Sequence, residues 1–174
     1  MADAPDGILL RRHRDLAGRA FEPWVRRILV LLLLAVPIAA LANVFGQKPE
    51  TTAASAPAAR LELFAPPALR GGLLYESRFR VYARRDLRKA ILVLSPGWLE
   101  GFTLNTIEPS PVGQASADGR LVLTLGHIPA GSSYRLYLQF QVNPTTVGRR
   151  SQNVKLLDGT RTVAVIRRSI VVYP

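Results

Sequence analysis

In 118-DGRLVLTLGHIPAGSSYRLYLQFQV-142 the hydrophobic period is two. From Tyr134 to Val142, the apolar Tyr134, Leu136, Leu138, Phe140 and Val142 alternate with Arg135, Tyr137, Gln139 and Gln141. A β-strand turns successive side chains to opposite faces, so this run predicts a strand with one face on a core and one on solvent. Leu121, Leu123 and Leu125 share one side of a preceding strand, which the turn signal Asp118-Gly119 opens. Pro129-Ala130-Gly131 turns the chain between the two strands.

Outward from this segment the same period recurs. Upstream, Arg60–Phe64 alternates briefly before Pro66-Pro67. In 73–83, Leu73, Tyr75, Phe79 and Val81 oppose Glu76, Arg78, Arg80 and Tyr82. Lys89–Leu94 is an apolar run of strand length, closed by Ser95-Pro96-Gly97, and Phe102–Ile107 alternates again. Downstream, Val154–Leu157, the Asp158-Gly159 turn and a run from Thr162 to Tyr173 predict a closing hairpin. About eight short strands separated by turns, with no helix between them, predict two packed antiparallel sheets. The expected fold is all-β: an immunoglobulin-like antiparallel β-sandwich over residues 60–174.

Ahead of the strands the chemistry changes. Residues 28–47, ILVLLLLAVPIAALANVFGQ, carry no charge. A helix of about 20 apolar residues crosses a hydrocarbon layer of about 30 Å, and spanning helices tolerate an internal proline such as Pro37. Residues 13–27 carry four arginines against Lys48 and Arg60 in 48–62. The positive-inside bias therefore assigns 1–27 to a cytoplasmic tail, 28–47 to a transmembrane signal-anchor helix, and the remainder to the extracytoplasmic side. Ala40-Leu41-Ala42 also fits a signal-peptidase site, so cleavage after Ala42 stays open, although 27 preceding residues make a long leader. Residues 48–59, KPETTAASAPAA, are small, polar and proline-containing, the composition of a linker.

Composition limits function. The 174 residues contain no Cys and two His, which excludes disulfides, thiolate metal sites and multi-histidine centres. No Gly-rich phosphate loop or metal-spaced set is present, and no cofactor is expected. His127 beside Ser132 and Ser133 lacks a nucleophile elbow. Glu100 and Glu108 flank one strand and could form a small acidic patch, but they read as solvated loop residues rather than a catalytic pair. The sequence therefore reads as non-enzymatic.

Asp118–Val142 resembles the bacterial immunoglobulin-like repeats of surface proteins, through Gly126, Ala130, Gly131 and Ser132 at its turn. Val93–Leu104 is similar to their proline–glycine corner, with Pro96, Gly97 and Trp98. The resemblance covers residues 60–174 and implies an adhesion, scaffolding or accessory role without catalysis. A composition rich in Ala, Arg, Leu, Pro and Gly is similar to that of a high-GC bacterial proteome, which makes the bacterial cell membrane the expected location.

The net charge is +11 for the whole chain. Arg78, Arg80, Arg84 and Arg85 cluster, and alternation puts Arg78 and Arg80 on one solvent face and Arg135 and Tyr137 on another. A second basic group, Arg149, Arg150, Lys155, Arg161, Arg167 and Arg168, follows. Trp98, after Pro-Gly, is a candidate docking side chain, with a core role covering the open end of the sandwich as the favoured assignment. The expected partners are the bilayer and another envelope protein, with an anionic wall polymer or lipid headgroup as the alternative. Export makes nucleic acid an unsuitable ligand.

Overall fold

The computed structural model describes residues 21–42 and 47–174, in two separate units. The first contains helix α1, Glu22–Leu41. Pro23 stands in its first turn, where the missing N–H costs nothing, and Pro37 lies inside it. The helix thus begins before the expected residue 28, because Trp24, Arg26 and Arg27 are good enough helix formers to extend it, and it ends at Leu41 rather than Gln47. The Arg27 guanidinium lies 5.5 Å from the Trp24 ring centroid. From Pro23 to Leu41 the helix is long and apolar enough to cross a membrane, and none of that stretch is buried by protein. Residues 1–20 of the expected tail and residues 43–46 lie outside the described residues.

The second unit is an immunoglobulin-like β-sandwich of thirteen described strands. In chain order these are β1 Glu50–Ser55, β2 Ala59–Ala65, β3 Ala68–Arg70, β4 Leu74–Ala83, β5 Leu87–Leu94, β6 Phe102–Glu108 and β7 Gly113–Ala117. There follow β8 Arg120–Ile128, β9 Ser133–Val142, β10 Gly148–Ser151, β11 Val154–Asp158, β12 Arg161–Ile166 and β13 Ser169–Tyr173. One layer has the order β1-β2-β4-β9-β6, and the facing layer β12-β11-β5-β8-β7. A small sheet, β10-β13-β3, continues the β11–β12 ladder beyond a break that the Gln152 N–H bridges to the Arg168 carbonyl at 2.9 Å. The expected single run from Thr162 to Tyr173 is therefore two strands, and β13 pairs with β3 in parallel, the one departure from antiparallel pairing among these strands.

The linker assignment for residues 48–59 is corrected. Six of them form β1 and pair with β2 from Glu50↔Ala65 to Ser55↔Arg60. Thr51 and Thr52 suit a strand, and the small side chains that suggest a linker fit an edge strand that needs to bury little. Gln47 belongs to this unit too, its side-chain amide donating to the Leu74 carbonyl at 3.3 Å.

The apolar faces meet in one core. Leu61, Leu63, Phe79, Val81, Leu136, Leu138 and Phe140 come from one sheet, and Leu92, Leu94, Leu121, Leu123 and Leu156 from the other. Trp98 is fully buried at its centre, with ring centroids 5.6 Å from Phe79 and 5.5 Å from Phe140. It reaches there through a 3-10 turn, Pro96–Trp98. That turn requires Gly97, since a Cβ there would lie 2.1 Å from the Ser151 carbonyl oxygen. Asp118 and Gly119 both have positive φ, 51° and 70°, as a two-residue hairpin matched to strand twist demands.

Candidate functional site

The site is the solvent face of the β1-β2-β4-β9-β6 sheet. Strand β4 alternates strictly, with Tyr75, Ser77, Phe79, Val81 and Ala83 buried and Glu76, Arg78, Arg80 and Tyr82 exposed. Its antiparallel register with β9 sets Arg78 opposite Tyr137 and Arg80 opposite Arg135. The two basic groups that the sequence leaves on separate strands are thus one patch. On the other side, β2 places Phe64 opposite Arg78 and Glu62 opposite Arg80, and β1 adds Thr51 beside Phe64. These side chains line a groove of about 290 Å³.

The charges in this groove are unequally satisfied. Glu76 accepts a hydrogen bond from the Arg78 Nε–H and holds the Arg78 pKa above its ordinary value. The Arg78 guanidinium also lies 5.4 Å from the Phe64 ring centroid. Glu62 is taken by Arg60, at 2.8 Å. Arg80 and Arg135 face each other across the ladder, and neither has a carboxylate ion-pair partner among the described residues. Like charges directly opposite on one sheet face repel, and a carboxylate or other anion placed between two guanidiniums relieves such repulsion.

The remaining candidates separate from this groove. Arg84 and Arg85 lie beyond the end of β4, where both backbone N–H groups donate to the Ala58 carbonyl, at 2.8 and 3.0 Å. They border the face without belonging to its rows. The second basic group does not converge: Arg149 and Arg150 are on β10, Lys155 on β11, Arg161 on β12, and Arg167 and Arg168 at the corner before β13. Arg168 is largely buried there, donating from Nη2 to the Pro66 carbonyl at 2.5 Å, and burial lowers its pKa. Of its two assignments Trp98 takes the core one and leaves the list of docking candidates, because its indole has no exposed surface and its Nε1–H donates to the Asn153 carbonyl at 3.3 Å.

His127 Nε2 lies 2.7 Å from Asp86 Oδ1, and both side chains are half exposed. No group of three or more His, Asp or Glu among the described residues is arranged to hold a metal ion. Phe64 and Glu62, which complete the groove, are legible in the alternation of RLELF. Thr51 is not, because it lies in the stretch whose composition suggests a linker.

No family model matches the chain, and neither does any curated protein. Similar solved structures are β-sandwiches of low identity. The CaCohA2 domain of Clostridium acetobutylicum is 13% identical, with 60% of this chain and 86% of that chain covered, at a TM-score of 0.43. A non-cellulosomal cohesin from Archaeoglobus fulgidus is 14% identical, with 72% and 92% covered, at 0.42. The CARDB domain of the PF1109 protein from Pyrococcus furiosus is 14% identical, with 72% and 94% covered, at 0.36. The sandwich assignment rests on the chain's own strand pairing and core.

Proposed function

We propose that this chain is a non-enzymatic, single-pass membrane protein whose sandwich, outside the cytoplasm, docks an acidic surface of another envelope protein through the Arg80–Arg135 groove. The observation that carries the proposal is that cross-strand arginine pair without a carboxylate of its own among the described residues. Arginine forks bind carboxylates with two parallel hydrogen bonds, and arginine and tyrosine anchor many protein interfaces. Arg80, Arg135 and Tyr137 supply both kinds of contact within one groove. The anchor is supported by α1, with apolar side chains exposed along its length and Trp24, Arg26 and Arg27 in its first turns. The arginine excess before the helix supports a cytoplasmic N-terminus.

The test is cross-linked co-purification from native membranes, for the natural chain and for an Arg80→Ser/Arg135→Ser double variant. One membrane protein recovered in near-equal amount, and lost with the double variant, is the expected result. Recovery of wall or lipid material that high salt releases, with no second protein, would favour direct binding of an anionic polymer or headgroup. Equal recovery of a protein partner with both chains would remove the groove from the interface.

A further inference from the structure

The edges of the sheets carry an inference independent of the groove. An edge strand offers unpaired N–H and C=O groups to any passing strand, and natural sheets blunt their edges with charge, proline, bulges or covering elements. The edges here are blunted in these ways, with one exception. Strand β3 has three residues and follows Pro66-Pro67, and β10 carries Arg149 and Arg150. Strand β6 is broken by a register shift between Leu104 and Thr106 and ends at Glu108. Strands β1 and β12 lie against each other and close that side of the sandwich.

Strand β7, Gly113–Ala117, carries none of these devices within its own five residues, although Pro111 precedes it and Asp118 follows it. Its sequence GQASA has no charge, no proline and no β-branched residue, and its ladder with β8 runs unbroken from Gly113↔Thr124 to Ala117↔Arg120. Toward the core side it borders an open cleft of about 380 Å³, lined by Leu104, Asn105 and Ile107 of β6, by Ser110 and Pro111, and by its own Gln114. The two-residue turn at Asp118-Gly119 makes Ala117 and Arg120 a hydrogen-bonded pair. Alternation then commits the backbone groups of Ala115 to β8 and leaves those of Gln114 and Ser116 directed at the free edge.

We infer that β7 pairs with β7 of a second copy, antiparallel about a two-fold axis at Ala115. In that arrangement Gln114 and Ser116 of one copy exchange backbone hydrogen bonds with Ser116 and Gln114 of the other. Self-association suits this edge because of charge. Two copies of a chain at net +11 repel across most of their surface, and a two-fold contact sets like beside like. The uncharged β7 meets its own image without opposing charges, and its small side chains allow the backbones to approach. Ala115 also lies beside Val122 and, beyond it, Val93, so pairing carries that outward row from one copy into the next.

The absence of cysteine makes the test direct. The full chain is purified in detergent, and its protein mass and cross-linking are measured. The natural chain should show twice the monomer mass. Ala115→Cys should form an intermolecular disulfide on mild oxidation, since opposed residues of an antiparallel pair lie about 4.5–5.5 Å apart at Cα. Val147→Cys, exposed on the loop between β9 and β10, should not. Ala115→Lys places like charges at the axis on the solvent side and should give a monomer with an unchanged circular-dichroism spectrum. Gln114→Pro removes only an N–H directed at the free edge and should do the same. A monomeric natural chain would overturn the inference, as would equal cross-linking at Val147→Cys. A dimer that survives both Ala115→Lys and Gln114→Pro would also overturn it.

Discussion

The two outer faces of the sandwich differ sharply although both are built on strands of the same length class. On the face of β2, β4 and β9 the outward positions are Glu62, Phe64, Arg78, Arg80, Arg135 and Tyr137. On the face of β12, β11, β5, β8 and β7 they are Val165, Lys155, Leu157, Ile91, Val93, Val122, Thr124 and Ala115. Ile91, Val93, Val122, Leu157 and Val165 are only half buried, yet none packs on the core. They shield one another laterally across neighbouring strands, which is how β-branched side chains stabilise a pleated surface. The first face is organised by charge, while the second is organised by lateral packing. Alternation in sequence therefore marks the charged face, and a continuous apolar run marks the face that packs across its own strands.

The comparison breaks most completely beneath both faces. Trp98→Ala removes the shared core ring and should cost about 3–5 kcal/mol in chemical denaturation. Binding per folded molecule should be unaltered, because the indole reaches neither surface. Gly119→Val forces a β-branched side chain into a left-handed turn position and should cost about 1–2 kcal/mol by the same measurement. Val122→Asp, on the packed face, should lower stability by about 1 kcal/mol and leave partner capture intact. Arg80→Thr reverses the sign. Relieving the opposed guanidiniums should raise stability by about 0.5 kcal/mol or less, an increment that added salt shrinks, while partner capture falls severalfold. If Arg80→Thr lowered stability and Val122→Asp abolished capture, the two faces would have exchanged roles.

Much of this was legible in the residues. The alternation of 73–83 and 134–142 predicts β4 and β9 and the side each arginine takes, since a period of two admits one arrangement on a buried sheet. The turn signals at Asp118-Gly119 and Asp158-Gly159 mark real hairpins. Strand β1 was not legible, because an edge strand needs neither bulk nor alternation and its composition equals that of a linker. Trp98 was ambiguous for a related reason. Local pattern places it in a turn after Pro-Gly, and only the approach of Ser151 to Gly97 and of Phe79 and Phe140 to the indole makes that turn interior.

By itself, the sequence determined an apolar helix, an all-β unit, the inward set of each principal strand and a basic surface without metal-binding cysteines. These follow from local periodicity and side-chain chemistry, which act over a few residues. The tertiary structure alone decided that Arg80 meets Arg135, that Glu62 and Glu76 serve Arg60 and Arg78 instead, and that β7 is left with an unguarded edge. Those facts depend on which strands become neighbours, and strand order comes from closing the core over long sequence separations, as when β4 pairs with β9 about sixty residues away.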